Sequence, residues 1–189
     1  MVPSRGRVRP VPPLIRPDID TERLTLRRPR LEDFDEALAM WSDPNVVRFI
    51  SGKPSTREEM WARLLRYVGH WELLGFGFWV VREKSTGRFV GEVGLGDFHR
   101  DIEPSLGESK EAGWVLSPSA HGKGYATEAV RAALRWNEER FGPERVVCII
   151  SPENAASLHV AHKCGFRERS RVSYKGEPIL TFERLPGAR

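Results

Sequence analysis

Residues 111–129 read EAGWVLSPSAHGKGYATEA, and the run from 126 continues as ATEAVRAALRWNEE. EAGWVL has the character of a strand, and Ser117-Pro118 ends it, because proline removes a ladder donor and fixes φ. Gly122 and Gly124 flank Lys123, and the strong helix formers that follow predict a helix over 126–140. A glycine loop feeding a helix N-terminus leaves several N–H groups without acceptors, at the positive end of the helix dipole. That is an anion site, with phosphate as the usual anion. Two glycines also suit an ordinary tight turn, so the surroundings decide.

Working outward, ERLTLRR alternates around Leu24 and Leu26 and predicts a strand. Phe34, Leu38 and Trp41 share a helix face that stops at Asp43-Pro44. Ser55 and Glu58 have the spacing of a capping box, opening a second helix with Trp61, Leu64, Leu65, Val68 and Trp71 on one face and ending before Gly75. FGFWVV and RFVGEVGL form a hairpin around KSTG, and residues 97–109 form a loop. After the glycine-loop helix come the strand RVVCII, a short helix capped by Asn154 and stopped at Gly165, and strands at 167–174 and 178–184. The order β-α-α-β-β-β-α-β-α-β-β predicts a mixed α/β fold. Its glycine loop leaves the end of a central strand, where open α/β sheets bind ligands.

The 189 residues suit one domain, here 20–189, and 40% hydrophobic with 30% charged content describes a soluble globular chain. No apolar run approaches the roughly 20 residues of a membrane span, so no membrane partner is expected. Residues 1–19 include MVPSRGRVRPVPPLIRP, which has no apolar core of a secretory signal, and its five prolines oppose an amphipathic transit helix. We read it as a flexible basic arm. The net charge of +4 and pI near 9.3 favour acidic ligands, but signs are mixed along the rest of the chain, so nucleic acid is not expected. The only cysteines, Cys148 and Cys164, read as buried small residues in a reducing cytoplasm. His159 and His162 lack further ligands at useful spacing, so no metal is expected.

Neither GxxxxGK[ST] nor GxGxxG occurs, and 122–127 reads GKGYAT. The loop resembles instead the acetyl-coenzyme A loop of the GNAT N-acetyltransferases, [QR]-x-x-G-x-[GA], with His121 in place of Gln or Arg. TERLTLRRP, GEVGL, EAGWVLSPSAHGKGYATEA and ENAASLHVAHKCGF together resemble the RimJ/RimL-like ribosomal-protein branch, over residues 20–184. The resemblance implies the GNAT fold, a mixed, mostly antiparallel sheet with helices on both faces, and acetyl-CoA as co-substrate. It implies that the backbone around His121, Gly122, Lys123, Gly124, Tyr125, Ala126 and Thr127 cradles the pyrophosphate, with a hydroxyl from Thr127. It further implies that Val115 and Leu116 pair with the pantetheine amides, and it points to homodimers among relatives.

Acetyl transfer to an amine needs a neutral amine, a stabilised oxyanion and a proton for the departing thiolate. Many GNAT enzymes draw that proton from a tyrosine seven residues after an Asn, and here that position is Ala161. The RimJ/RimL-like pattern places a serine three after the Asn, which is Ser157 following Asn154. Ser157 and Asn154 are therefore expected at the cofactor, with Ser157 as candidate acid; helix capping is the alternative for Asn154. Glu92 and Glu111 are base candidates, and Trp79 and Phe78 candidate walls of an acceptor pocket. An α-amine with pKa near 7.7–8 is roughly a tenth neutral at pH 7, against roughly 0.04% for lysine. Weak base candidates therefore favour a protein N-terminus as acceptor. A small amine such as an aminoglycoside or polyamine, a catalytically idle acyl-CoA-binding module, and nucleic-acid binding through the arm are the rivals.

Overall fold

Leu24 and Leu26 are fully buried while Thr25 and Arg27 between and after them are half-buried, the period-two pattern of a strand with one face on a core. The computed structural model describes residues 18–187; most of the N-terminal arm lies outside the described residues. Its strands are β1 (Ile19–Asp20), β2 (Leu24–Arg27), β3 (Phe78–Glu83), β4 (Phe89–Gly96), β5 (Lys110–Leu116), β6 (Val146–Ile150), β7 (Arg167–Tyr174) and β8 (Glu177–Arg184). They form one sheet in the order β1-β2-β3-β4-β5-β6-β8-β7. Every pairing is antiparallel except β5–β6. Ile19 already pairs with Leu26, so the sheet takes in the last residue assigned to the arm.

The helices are α1 (Phe34–Trp41), α2 (Pro44–Val47), α3 (Arg57–Leu74), α4 (Tyr125–Phe141) and α5 (Ala155–Lys163). On one face α4 buries Ala129, Val130, Ala133 and Trp136 against Trp79, Val93 and Leu95. On the other, Trp41, Val47, Met60 and Leu64 from α1–α3 cover Val80 and Val115. Each such side chain contributes about 1.5–3 kcal/mol when fully buried. Helices thus lie on both faces, as the resemblance to the GNAT fold implies.

Two readings of the first helices need correcting. The capping box belongs to Thr56 and Glu59, one residue on from Ser55 and Glu58: Glu59 N–H donates to Thr56 Oγ1 at 3.1 Å and Thr56 N–H to the Glu59 carboxylate at 2.9 Å. The inner stripe of α3 is Met60, Leu64, Tyr67 and Trp71, whereas Trp61, Leu65 and Val68 are exposed by 44%, 51% and 40%. Asp43-Pro44 does end α1, but Asp43 then caps α2 through Asn45 N–H at 2.8 Å, with Pro44 as first helical residue.

β5 and β6 pair only at Lys110–Val146 and Glu111–Val147. Beyond Glu111 the two strands diverge, while β5 stays paired with β4 to Leu116. The sheet therefore opens a wedge at its centre, and the glycine loop lies at the open end of β5.

Candidate active site

The glycine loop leaves β5 through a single turn of 3-10 helix at Pro118–Ala120 and enters α4 with Gly124 as N-cap. Gly122 and Gly124 have φ of 74° and 77°, the left-handed region that glycine occupies without a Cβ penalty. A Cβ at Gly122 would meet nothing within 4 Å, so this stretch of backbone faces open space. Among the described residues, no backbone N–H from Gly122 to Thr127 has a protein acceptor; the next, Glu128 N–H, bonds Gly124 O at 3.1 Å. Six consecutive free amides at a helix N-terminus fit a diphosphate, since hydrogen bonds to a charged acceptor contribute about 1.5–3 kcal/mol each.

The loop is clamped from outside. His121 Nε2 lies 3.0 Å from Leu116 O, tying the loop back to β5. Arg23 donates to Lys123 O at 2.9 Å and to the Glu128 carboxylate at 2.7 Å, and Thr21 Oγ1 donates to Glu128 at 2.6 Å. Burial would raise the Glu128 carboxyl, but these bonds hold it below its ordinary range. The Tyr125 side chain is buried and its hydroxyl bonds Glu83, so Tyr125 has only its backbone N–H to offer an anion. Lys123 is exposed. Arg23 and Thr21 carry no local signal, because their partner is more than a hundred residues away.

Across the wedge, Trp114 on β5 donates its indole N–H to Ser157 Oγ on α5 at 3.3 Å. Ser157 N–H in turn donates to Asn154 Oδ1 at 3.1 Å, so the Asn154 carbonyl caps α5. Ala161 is fully buried one turn further on. Val115 and Leu116 pair with Glu92 and Gly91 on the β4 side, and among the described residues neither is in register with a β6 residue. The wedge thus joins the glycine loop, one edge of β5 and the Ser157 hydroxyl.

The two glutamates are engaged elsewhere. Glu111 is held by both forks of Arg100, at 2.5 and 2.7 Å, and Arg100 also donates to the Tyr174 hydroxyl at 3.2 Å. Burial works against the Arg100 charge, yet Glu111 keeps its pKa raised. A carboxylate in a bidentate pair is a poor base, because accepting a proton would break the pair. Glu92 is 2% exposed and accepts from Trp41 Nε1 at 2.8 Å. Burial pushes its carboxyl up, against the bonds from Trp41 and Tyr67 and the Arg63 charge. Phe78 stacks on Tyr67 on the α1–α3 face, with ring centres 4.6 Å apart. Trp79 points the other way, fully buried against Trp71 and Trp136. Successive strand residues face opposite sides, so the two could not line one pocket together, and Trp79 is a core residue.

The model of the acetyltransferase (GNAT) domain matches residues 23–167. YkkB of Bacillus subtilis strain 168, an uncharacterised protein, is 33% identical over 87% of this chain and 93% of its own length. A Bordetella pertussis structure described as a GNAT-family acetyltransferase superimposes with a TM-score of 0.79 at 30% identity, over 89% of this chain and 99% of that one. The ribosomal L7/L12 α-N-protein acetyltransferase RimL, solved with coenzyme A, shares the fold with a TM-score of 0.73 at 16% identity, over 91% and 99%. The chain therefore belongs to the GNAT acetyltransferase family and is an N-acetyltransferase. Proteins of this fold include ribosomal-protein, spermidine and aminoglycoside acetyltransferases, so the fold alone does not choose the acceptor.

Proposed function

We propose that this enzyme moves the acetyl group of acetyl-CoA to the α-amine at a protein or peptide N-terminus. The observation that carries the reading is the run of six free amides, 122–127, at the end of a strand that parts from its parallel neighbour. The amides hold the pyrophosphate, and the β5 edge around Val115 and Leu116, which β6 leaves unpaired, lies along the pantetheine. Both lead toward Ser157. Its oxygen accepts from Trp114, so the hydroxyl can pass its proton to the thiolate as the C–S bond breaks and be reprotonated by the proton the amine loses as the C–N bond forms.

No protein base is assigned. Glu111 is committed to Arg100 and Glu92 is sealed under Trp41. An α-amine supplies enough neutral form on its own near pH 7, whereas a lysine does not. The two buried free thiols fit a reducing cytoplasm.

The test is thiol release from acetyl-CoA with three acceptor sets: peptides with a free N-terminus, the same peptides N-terminally blocked but carrying lysine, and small polyamines. Release confined to the first set supports the reading. Release with the second or third set alone overturns the choice of acceptor.

A further inference from the structure

The sheet face under α1–α3 carries more positive charge than its carboxylates offset. Arg63 and Arg66 stand about one turn apart on α3, and Arg100 reaches the same region from the β4–β5 connection. Phe98 joins two of them: the guanidinium carbon of Arg66 lies 5.7 Å from its ring centre and that of Arg100 4.9 Å. Arg63 lies 3.5 Å over the Trp41 ring. Of the acids near them, Glu111 is taken up by Arg100, and Glu92 is buried and bonded to Trp41.

Among the described residues, neither Arg63 nor Arg66 has a carboxylate at ion-pair distance, and Arg63 Nε is buried without a hydrogen-bond partner. Arg66 is exposed and Arg63 half-buried. Partial desolvation, against the Tyr67 hydroxyl and with the like charges of Arg63 and Arg100, draws Arg66 below the usual guanidinium value. Guanidiniums that face solvent without a counter-charge leave their planar forks open to a carboxylate. The cluster also borders the wedge, since Arg100, which shares the Phe98 ring with Arg66, holds Glu111, the last β5 residue paired with β6 before the strands part.

We propose that Arg66, with Arg63, binds a carboxylate that the acceptor carries close to its amine. The acceptor is then acidic: a peptide N-terminus with Asp or Glu in its first residues, or an amino acid through its own α-carboxylate. The same charges repel polycations such as polyamines and aminoglycosides. The inference rests on the acetyltransferase reading of the cleft, and the experiment separates the two.

Equilibrium binding to the coenzyme A-saturated full-length enzyme is measured by calorimetry. The probes are C-terminally amidated peptides differing only in two Asp, two Asn or two Arg after the first residue. Alanine against alaninamide tests the second source of the carboxylate. At least one carboxylate-bearing probe binds about tenfold or more tightly than its uncharged counterpart, the gain of one charge-assisted contact. The Arg-bearing peptide binds more weakly still. In Arg66→Gln that ratio falls to within about threefold, and Arg66→Lys, which keeps the charge without the planar fork, retains only part of it. Equal binding within both pairs, preference for the Arg-bearing peptide, or a ratio unchanged in the Arg63→Gln/Arg66→Gln enzyme overturns the proposal. Thiol release is followed in parallel: an acidic preference in binding with no release counts against the catalytic reading and leaves the anion site standing.

Discussion

Trp114 and Ser157 bridge the wedge between β5 and α5 with an indole N–H to hydroxyl bond of 3.3 Å, beyond the point where β5 and β6 stop pairing. With one lone pair engaged by the indole, the hydroxyl keeps its proton for another acceptor. Ser157→Ala is expected to lower kcat by about 10²–10⁴-fold, the range for a positioned proton donor, with little change in acetyl-CoA affinity. Trp114→Phe keeps the hydroxyl but loses its orientation, and should cost closer to fivefold, about 1 kcal/mol. Single-turnover rates with saturating acetyl-CoA check both; an unchanged chemical step in Ser157→Ala removes the serine from the mechanism.

At Gly124 the constraint is backbone conformation rather than crowding, since an added Cβ would meet Arg23 at an ordinary 3.5 Å while φ is 77°. A β-branched residue there is strained by about 1–2 kcal/mol or more. Gly124→Val should lower the melting temperature modestly and abolish the rise that acetyl-CoA produces in the native enzyme. A variant that keeps normal acetyl-CoA affinity by calorimetry would disprove the loop assignment.

Glu111 and Arg100 form a largely buried pair, although the Arg100 side chain retains 23% exposure. Glu111→Gln leaves the guanidinium without its counter-charge, so the loss of stability is expected toward the lower end of about 3–5 kcal/mol. Activity per folded molecule should change little. Denaturant unfolding and kcat at low temperature separate these effects, and a collapse of kcat with intact stability would restore Glu111 as the base.

For Glu92 the sign runs opposite to that of a salt-bridged carboxylate. Burial raises its folded pKa above the unfolded value, so the folded state holds the proton more tightly. Its contribution to stability therefore declines as pH rises through the unfolded and then the folded pKa. Glu92→Gln should gain stability relative to the native enzyme as pH rises from about 4, the unfolded carboxyl range, toward neutrality, and retain turnover. Parallel unfolding curves at the two ends of that range check the direction; a gap that shrinks as pH rises would contradict it.

The glycine loop and the helix stops were legible because their constraints are local. Left-handed glycines and a helix start leave their mark in consecutive positions, so the 122–127 loop and the Gly75 and Gly165 stops could be read from sequence. On α3, by contrast, two apolar stripes compete: Trp61, Leu65 and Val68 have the right period but face solvent, while Tyr67 joins the inner stripe. Periodicity sets the spacing of a face, and only packing selects which face turns inward. Arg23–Glu128, Trp114–Ser157 and Arg100–Glu111 depend on where distant strands and loops meet. Each is a charge or polar group whose partner no local pattern names.

The most direct measurement is the position of the acetyl group on one peptide that offers both kinds of amine. A peptide with a free N-terminus, an acidic second residue and an internal lysine is incubated with enzyme and acetyl-CoA, and the product is mapped by fragment-ion mass spectrometry. The account predicts acetyl on the α-amine, with the ε-amine unmodified at early times, because a lysine is about two hundred times less often neutral near pH 7 and no base is assigned to deprotonate it. Acetyl on the lysine alone would contradict it.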